Sequence, residues 1–368
     1  MKALAALEIR FLVEELQLLL GARVDRIFHP SQKELLVELY SASTKKALLR
    51  AALPYALYLA SEKPSEPKQP SAFCLFLRKR LKNSRLKAFL QHSSERVVEM
   101  VFSSKNGDFR LVLELFSRGN IILCDASGTI LAAAERQAWS TRKIAPKQPY
   151  ALPPQKLDTF SLTVGKLQKA LSESSRDSLV KALAADLGFG GVYAEEICLL
   201  SSVDKLSDPK KASPSDAEKI IKAISTLLKK KLQPVVVLKD GKPQDVVPFP
   251  LLHYKCLEEK LFRTYNEALD SVLTSAAFEL LKEEKEAPAK RSTALLQRRI
   301  SEQQEMVKNM ARSIEENTKK GELIYEHYLE IKQLLADAKS KKPEELKKKH
   351  PLLNSVDGKT GKIIVELQ

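Results

Sequence analysis

Three of the chain's 12 glycines fall within four positions, Gly188-Phe189-Gly190-Gly191, in a sequence of 368 residues. That concentration dictates the local path more firmly than any other feature. Apolar helical periodicity runs up to Leu187 and resumes near Val192, with small Ala194 on the inner side, so the order is helix, tight turn, helix. The spacing G-h-G-x-x-x-A, with h apolar, describes a helix-hairpin-helix. Gly188 and Gly190 permit positive φ, and Gly191 lets a backbone approach without a Cβ in the way. The second helix then aims its free N–H groups outward, which is a phosphate site in outline. The same glycines also suit a simple turn in which Phe189 plugs a core, and Asp186, Glu195 and Glu196 nearby oppose an anion. Both readings stand at this point.

Length and charge narrow the class. Single cores stop growing at about 250 residues, so 368 residues imply several units. Lys and Arg number 61 against 46 Asp and Glu, a formal charge of +15 with pI near 9.4, which favours a polyanionic partner. Cys74, Cys124, Cys198 and Cys256 lie far apart without histidines at ligand spacing, so they read as reduced, buried thiols, with no metal site and no cofactor. The opening "MKALAALEIRFLVEELQLLLGARVDRI" is interrupted by Glu8, Arg10, Glu14 and Glu15 and reads as an amphipathic helix stopped by Gly21. It is neither a signal peptide nor a membrane span, and the expected location is cytoplasmic.

An α+β domain is expected over 1–157, with a hairpin turn at Asp125–Gly128 between Ile121–Cys124 and Thr129–Leu131. A polar linker follows over 158–177, the helix-hairpin-helix domain over 178–232, and a middle segment over 233–285 with two strands about Asp240–Gly241. From Glu258 the chain reads as almost continuous helix, with a coiled-coil arm over 286–340 and a tail over 341–368. Within the first domain, 73–89 reads as a helix that buries Phe73, Phe76, Leu77, Leu81 and Phe89. It displays Arg78, Lys79, Arg80, Lys82, Arg85 and Lys87, either as a phosphate-neutralising face or as a solvated one with snorkelling stems.

Eight separated stretches carry a resemblance. "GARVDRIFHP", "FCLFLRKRL", "ERVVEMVF", "ELFSRGNIILCD", the Y-x-L-P-P of 150–154, "DLGFGGVYAEEIC", "NEALD" of 266–270 and "KKGELIYEHY" occur in the order found in one family. The chain resembles the NFACT family of ribosome-quality-control factors, the RqcH, NEMF and Caliban group, formerly labelled fibronectin-binding protein A-like. The resemblance implies an NFACT-N domain similar in fold to the N-terminal domain of formamidopyrimidine-DNA glycosylases, then a helix-hairpin-helix domain and a long coiled-coil arm. It implies binding of tRNA and of the stalled large ribosomal subunit with peptidyl-tRNA, in support of non-templated C-terminal tailing, with no chemistry of the factor's own. The family's tRNA-supporting Asp-Arg pair falls on Glu95 and Arg96, and an aspartate of the first helix region on Glu8. Each exchange keeps the charge and adds one methylene, about 1.5 Å. Arg78, Lys79, Arg80, Lys82 and Arg85 complete the expected tRNA-binding set, and Gly188, Gly190 and Gly191 an RNA-backbone contact.

From Leu296 a heptad seam runs through Ile300, Gln303, Val307, Met310, Ile314, Asn317, Gly321, Ile324, Tyr328, Ile331 and Leu335. No returning helix and no NFACT-R domain follow before Gln368, so the expectation is either a natural short form or a split protein or fragment whose missing parts a separate chain supplies, with no membrane involved. The competing reading is a DNA-glycosylase-like DNA-binding or repair protein. Those enzymes use a proline directly after the initiator methionine, then a glutamate, where this chain has Lys2 and Ala3. Without that secondary amine the Schiff-base chemistry has no agent. No Walker, dinucleotide or triad spacing is present, and no catalytic residue is expected.

Overall fold

The computed structural model describes residues 3–42, 45–63, 69–105, 107–139, 142–154, 157–339, 346, 350–357 and 362–367, without the side chains of 275–296, 298, 356 and 357. The chain divides into two compact units, Met1–Leu280 and Leu281–Gln368.

The first unit starts with helix α1 (Ala6–Glu15), continued by a 3-10 turn over Leu16–Leu19 and ended by Gly21 at φ +80°. Four strands follow, β1 (Arg23–Ser31), β2 (Glu34–Ser41), β3 (Lys45–Ala52) and β4 (Ala56–Leu59). After helix α2 (Ala72–Leu81) come β5 (Arg85–Gln91), β6 (Val97–Ser104), β7 (Gly107–Glu114), β8 (Asn120–Asp125) and β9 (Ile130–Ala133). They form one antiparallel sheet in the order β4-β3-β2-β1-β5-β6-β7-β8-β9. Its two halves meet at a short junction, the ladder pair Arg23↔Arg85 with flanking bonds such as Val24 N–H to the Ser84 carbonyl (2.9 Å), and they enclose a common core that includes Leu36, Leu49, Phe89 and Leu113. The expected β8–β9 hairpin is present. Its turn is held by Asp125, whose carboxylate accepts the N–H groups of Ser127 and Thr129.

A short hairpin, β10 (Gln137–Ala138) and β11 (Lys143–Ile144), leads to the helical part of the unit: α3 (Val164–Ser172), the short α4 (Leu179–Lys181), α5 (Gly191–Ser201) and α6 (Pro214–Leu228). Strands β12 (Val235–Lys239) and β13 (Lys242–Val247) pair about Asp240–Gly241 as expected, and β14 (Glu258–Leu261) joins β12 on its other edge. A second core includes Leu167, Leu183, Phe189, Tyr193, Ile197, Ile220 and Leu227. The two cores share walls. Helix α1 sends Ile9, Leu12 and Val13 into the sheet core and Leu7 and Phe11 into the helical one. Strand β12, with its period of two, sends Val236 one way and Val235 and Val237 the other. At about 1.5–3 kcal/mol per buried aliphatic or aromatic side chain, α1 contributes to both cores at once.

Several expectations change here. The linker over 158–177 contains α3, whose Leu167 and Leu171 are buried in the helical core. The basic helix stops at Leu81, and Asn83 at φ +65° turns the chain, so Arg85 and Lys87 lie on β5. Glu258 begins a strand, and long helix α7 starts only at Tyr265 (Tyr265–Glu326). Leu18 and Leu20 are exposed, as is Cys256, whereas the other three cysteines are buried, and none of the four forms a disulfide. The first residues of α7 are fixed by side chains from far away in sequence. The Glu15 carboxylate accepts the N–H groups of Tyr265 (2.7 Å) and Asn266 (3.0 Å), a cap that also suits the helix dipole. The Asn266 side-chain oxygen accepts the N–H of Leu59 at the sheet edge (2.8 Å).

In the second unit, α7 is followed by α8 (Tyr328–Ala338) and a hairpin of β15 (Leu353–Asp357) and β16 (Lys362–Val365), where a helical arm and tail were expected. Leu334, Leu346 and Leu353 make its small core. Along α7 the seam is open: Ile300, Val307, Met310 and Ile314 are between 53% and 67% exposed. The Leu296 side chain lies outside the described residues. Among the described residues no helix is long and apolar enough to cross a membrane.

Two glycines test the packing differently. Gly190 has φ +78° with open space around a built Cβ, whereas at Gly119 (φ +69°) a Cβ would sit 2.6 Å from Leu53 Cβ and 3.2 Å from Pro54 N. Gly190→Ala is expected to cost about 1 kcal/mol from backbone strain alone, and Gly119→Ala about 3 kcal/mol because overpacking adds to the strain. Urea unfolding of the two variants checks the order.

Candidate nucleic-acid interface

The turn between β5 and β6, residues 92–96, carries Glu95 and Arg96, and it is pinned from three directions. The His92 N–H donates to the Val97 carbonyl (3.1 Å) and the Glu95 N–H to the His92 carbonyl (2.9 Å), which closes the turn. The Gln91 amide donates to the carbonyls of Ala6 (2.9 Å) and Glu95 (3.0 Å), which ties it to the first turn of α1. On the adjacent strands, Arg110 grips Glu99 through two hydrogen bonds of 2.6 and 2.8 Å, and Glu99 also meets His92 Nε2 at 2.7 Å. Burial raises the proton affinity of Glu99, but the hydrogen bonds from His92 and Arg110 and the charge of Arg110 outweigh it, holding the carboxyl down to about 2. Sequence reasoning passed over this group. Its signal was a carboxylate inside the apolar run Val97-Val98-Glu99-Met100, where an unpaired charge is too costly.

Glu8 joins the same place from α1. It stands at the third helical position, where Oε2 accepts the Ala5 N–H (2.7 Å), and Oε1 accepts the hydroxyl of Tyr193 (3.1 Å), two residues into α5. Burial, then the charge of Glu8, keeps the Tyr193 hydroxyl protonated far above the usual phenol range. Arg96 reaches the Leu4 carbonyl at 3.4 Å. Burial lowers the proton affinity of its guanidinium, while the charges of Glu95 and Glu8 work in the opposite direction. Burial likewise raises Glu95, with Arg96 opposing. Glu8, Glu95 and Arg96, expected together from sequence, are therefore one electrostatic group. Their exposure differs. Glu95 and Arg96 are half-buried at the surface, whereas Glu8 is 1% exposed and presents no contact surface to a ligand.

The expected basic set separates into anchored and open residues. Arg78 donates from Nε to the Ile27 carbonyl (2.7 Å) and covers the Phe28 ring at 5.6 Å, while Arg80 stacks on Phe76 at 3.7 Å. Lys79, Lys82 and Arg85 are exposed, and Arg85 reaches the Gly21 carbonyl at 3.1 Å. Arg78 and Lys82 line a cleft of about 290 Å³ with Val24–Phe28, so part of the set faces one concave surface.

At the glycine hairpin, Gly188 and Gly190 have φ +73° and +78°, and Phe189 is buried in the helical core. The Phe189 and Gly190 N–H groups are taken up by the carbonyls of Leu183 (3.3 Å) and Ala184 (3.1 Å). A ligand would therefore meet the first-turn N–H groups of α5, which begins at Gly191. The acids that opposed an anion are each engaged: Asp186 with Arg176 and Ser174, Glu195 with Lys205, and buried Glu196 with the His253 N–H.

A family model described as NFACT N-terminal and middle domains matches residues 6–367. An archaeal Rqc2 homologue, aRqcH of Methanocaldococcus jannaschii, is 31% identical over 386 aligned residues, covering 97% of this chain and 57% of that protein. The ribosome quality control complex subunit NEMF of Homo sapiens is 27% identical over 224 residues, covering 59% of this chain and 20% of its own length. The chain thus spans little more than half of the first relative and a fifth of the second. The N-terminal part of the fibronectin/fibrinogen-binding protein from Streptococcus suis shares the fold with TM-score 0.60 and 21% identity, over 74% of this chain and all of that one.

Because the folded Glu99 has a depressed pKa, its stabilisation is complete above the unfolded value near 4.5 and is lost as pH falls towards about 2. Glu99→Gln is expected to cost roughly 2 to 3 kcal/mol at neutral pH. The difference from the parent should shrink steadily between pH 4.5 and 2 in equilibrium unfolding.

Proposed function

Since the chain belongs to the NFACT family, being matched by the family model over residues 6–367, we propose that it is an RNA-binding factor of ribosome-associated quality control. In this reading it binds tRNA and the stalled large ribosomal subunit carrying peptidyl-tRNA, and it supports non-templated tailing of the nascent chain. The observation that carries the reading is the grouping of Arg96 and Glu95 at the surface, within the electrostatic reach of buried Glu8. A half-buried guanidinium with fixed geometry suits a phosphate or base edge better than a free surface lysine does. The exposed cations Lys79, Lys82 and Arg85 add sequence-independent attraction. The helix-hairpin-helix at Gly188–Gly191 contacts RNA backbone through the first turn of α5.

The same reading makes the protein a cytoplasmic binding factor without a catalytic step of its own, needing no cofactor. The names of the relatives support the quality-control part of the reading: one is an Rqc2 homologue and another a subunit of a ribosome quality control complex. The open seam from Ile300 to Ile314 is the place for a coiled-coil partner helix, in this protein or on another chain.

Arg96→Ala is expected to weaken tRNA binding about tenfold or more in a filter assay, and to reduce co-sedimentation with large subunits carrying peptidyl-tRNA. Arg96→Lys should recover part of the affinity, since it keeps the charge but not the fork. A stability loss of about 1 kcal/mol accompanies removal of the group facing Glu8, so affinities are compared at temperatures where both proteins are folded. Equal affinity of Arg96→Ala and the parent would overturn the site.

A further inference from the structure

The chain contains a single tryptophan, and it stands at the surface on an unusually firm support. Trp139 follows β10, and its N–H donates to the Arg142 carbonyl just before β11 (2.9 Å). This places Gln137, Trp139, Arg142 and Ile144 on one face of the hairpin. The inner end of that face is buried. Ile144 is fully enclosed beside Val97, Val112 and Ile122, and the Asn120 amide donates to Gln137 (3.2 Å) and to the Glu135 carbonyl (2.9 Å). At the outer end the Arg142 guanidinium lies 4.7 Å from the indole ring, yet Trp139 keeps 44% of its surface open.

Arg142 is no ordinary surface cation. It is 9% exposed and donates to Glu114 (2.6 Å) and the Ala151 carbonyl (3.2 Å), while the Tyr150 hydroxyl donates to the same Glu114 oxygen (3.0 Å). A buried ion pair with its polar atoms satisfied therefore backs one side of an exposed indole, which is held in place before anything binds. Glu114 is neutralised by Arg142 and Glu135 by Lys33 (2.7 Å), whereas Arg118, Arg136, Lys143 and Lys147 are exposed on the hairpin and its flanking turns. An aromatic face held against Arg142, on a hairpin that also carries exposed cations, has the two elements of single-strand recognition, base stacking and phosphate neutralisation.

We propose that Trp139, backed by Arg142, is a stacking platform for an unpaired base of single-stranded RNA, with the exposed cations of the hairpin and its flanking turns supplying sequence-independent attraction for the phosphates. The proposal rests on the RNA-binding reading for its ligand class, but on none of the residues of the Arg96 group.

The chain's sole tryptophan makes the test direct, because all indole emission comes from this site. An oligoadenylate of about ten nucleotides is titrated into the 368-residue protein while tryptophan fluorescence and the anisotropy of a labelled copy are followed. Saturable quenching that tracks anisotropy and weakens with salt supports the platform. So does a loss of affinity of about tenfold in Trp139→Ala that Trp139→Phe largely restores, with unchanged melting. RNA binding by anisotropy with unaltered indole emission overturns it, as does equal quenching by a blunt duplex. Quenching by an acidic peptide but not by RNA also overturns it and assigns the surface to a protein. Arg96→Ala separates the two readings: the platform requires that this variant still be quenched by oligoadenylate, whatever becomes of its tRNA affinity.

Discussion

A carboxylate enclosed between two hydrophobic cores is the constraint around which the first unit is arranged. Helix α1 is walled on both sides, and Glu8 stands within it at 1% exposure. A lone charge there would be prohibitive, so the surrounding elements supply partners. The Ala5 N–H comes from the helix's own start, the Tyr193 hydroxyl from the glycine hairpin, and the charge of Arg96 from the β5–β6 turn. Helix α1 and the glycine hairpin are thereby tied together by hydrogen bonds, and the charge around Arg96 depends on a carboxylate that a residue nearly a hundred positions downstream helps to hold.

This dependence clarifies what the glycine cluster does. Positive φ at Gly188 and Gly190 lets Phe189 enter the helical core and starts α5 at the position that brings Tyr193 under Glu8. The turn thus serves the packing of both cores, with Phe189 buried as the core reading expected.

Much of this was legible in the chain itself. Period-two runs around Asp125–Gly128 and Asp240–Gly241 gave hairpins, because turn chemistry and alternation agreed there. The grouping of Glu8, Glu95 and Arg96 followed from family resemblance and not from local pattern, since the residues are far apart in sequence. The misses have physical causes. The run 73–89 keeps helical periodicity past Leu81, and only Asn83 in the left-handed region, a local choice made by packing, diverts it into β5. The polar composition of 158–177 concealed Leu167 and Leu171, two apolar residues that suffice for one buried stripe. Strand β14 is exposed throughout, so it carries no hydrophobic signal and exists through pairing with β12. The Trp139–Arg142 pair escaped notice because Arg142 is buried by Glu114, nearly thirty residues earlier in the chain.

Shared walls also bear on how the unit comes apart. Val236 belongs to one core and its neighbours Val235 and Val237 to the other, and Glu15 of the first helix caps the helix that begins at Tyr265. Neither core can be solvated while the other stays intact, because α1 and β12 would lose a face in either event. Residues 1–280 should therefore melt as one cooperative block, despite a length at which independent folding modules are the rule. A gene shortened after the proline-rich stretch near Tyr150 would leave Leu7 and Phe11 facing water on a helix with no second neighbour. Dissection of this protein at the boundaries its composition suggests would yield aggregating fragments, and evolution could exchange its sheet and helical halves only together.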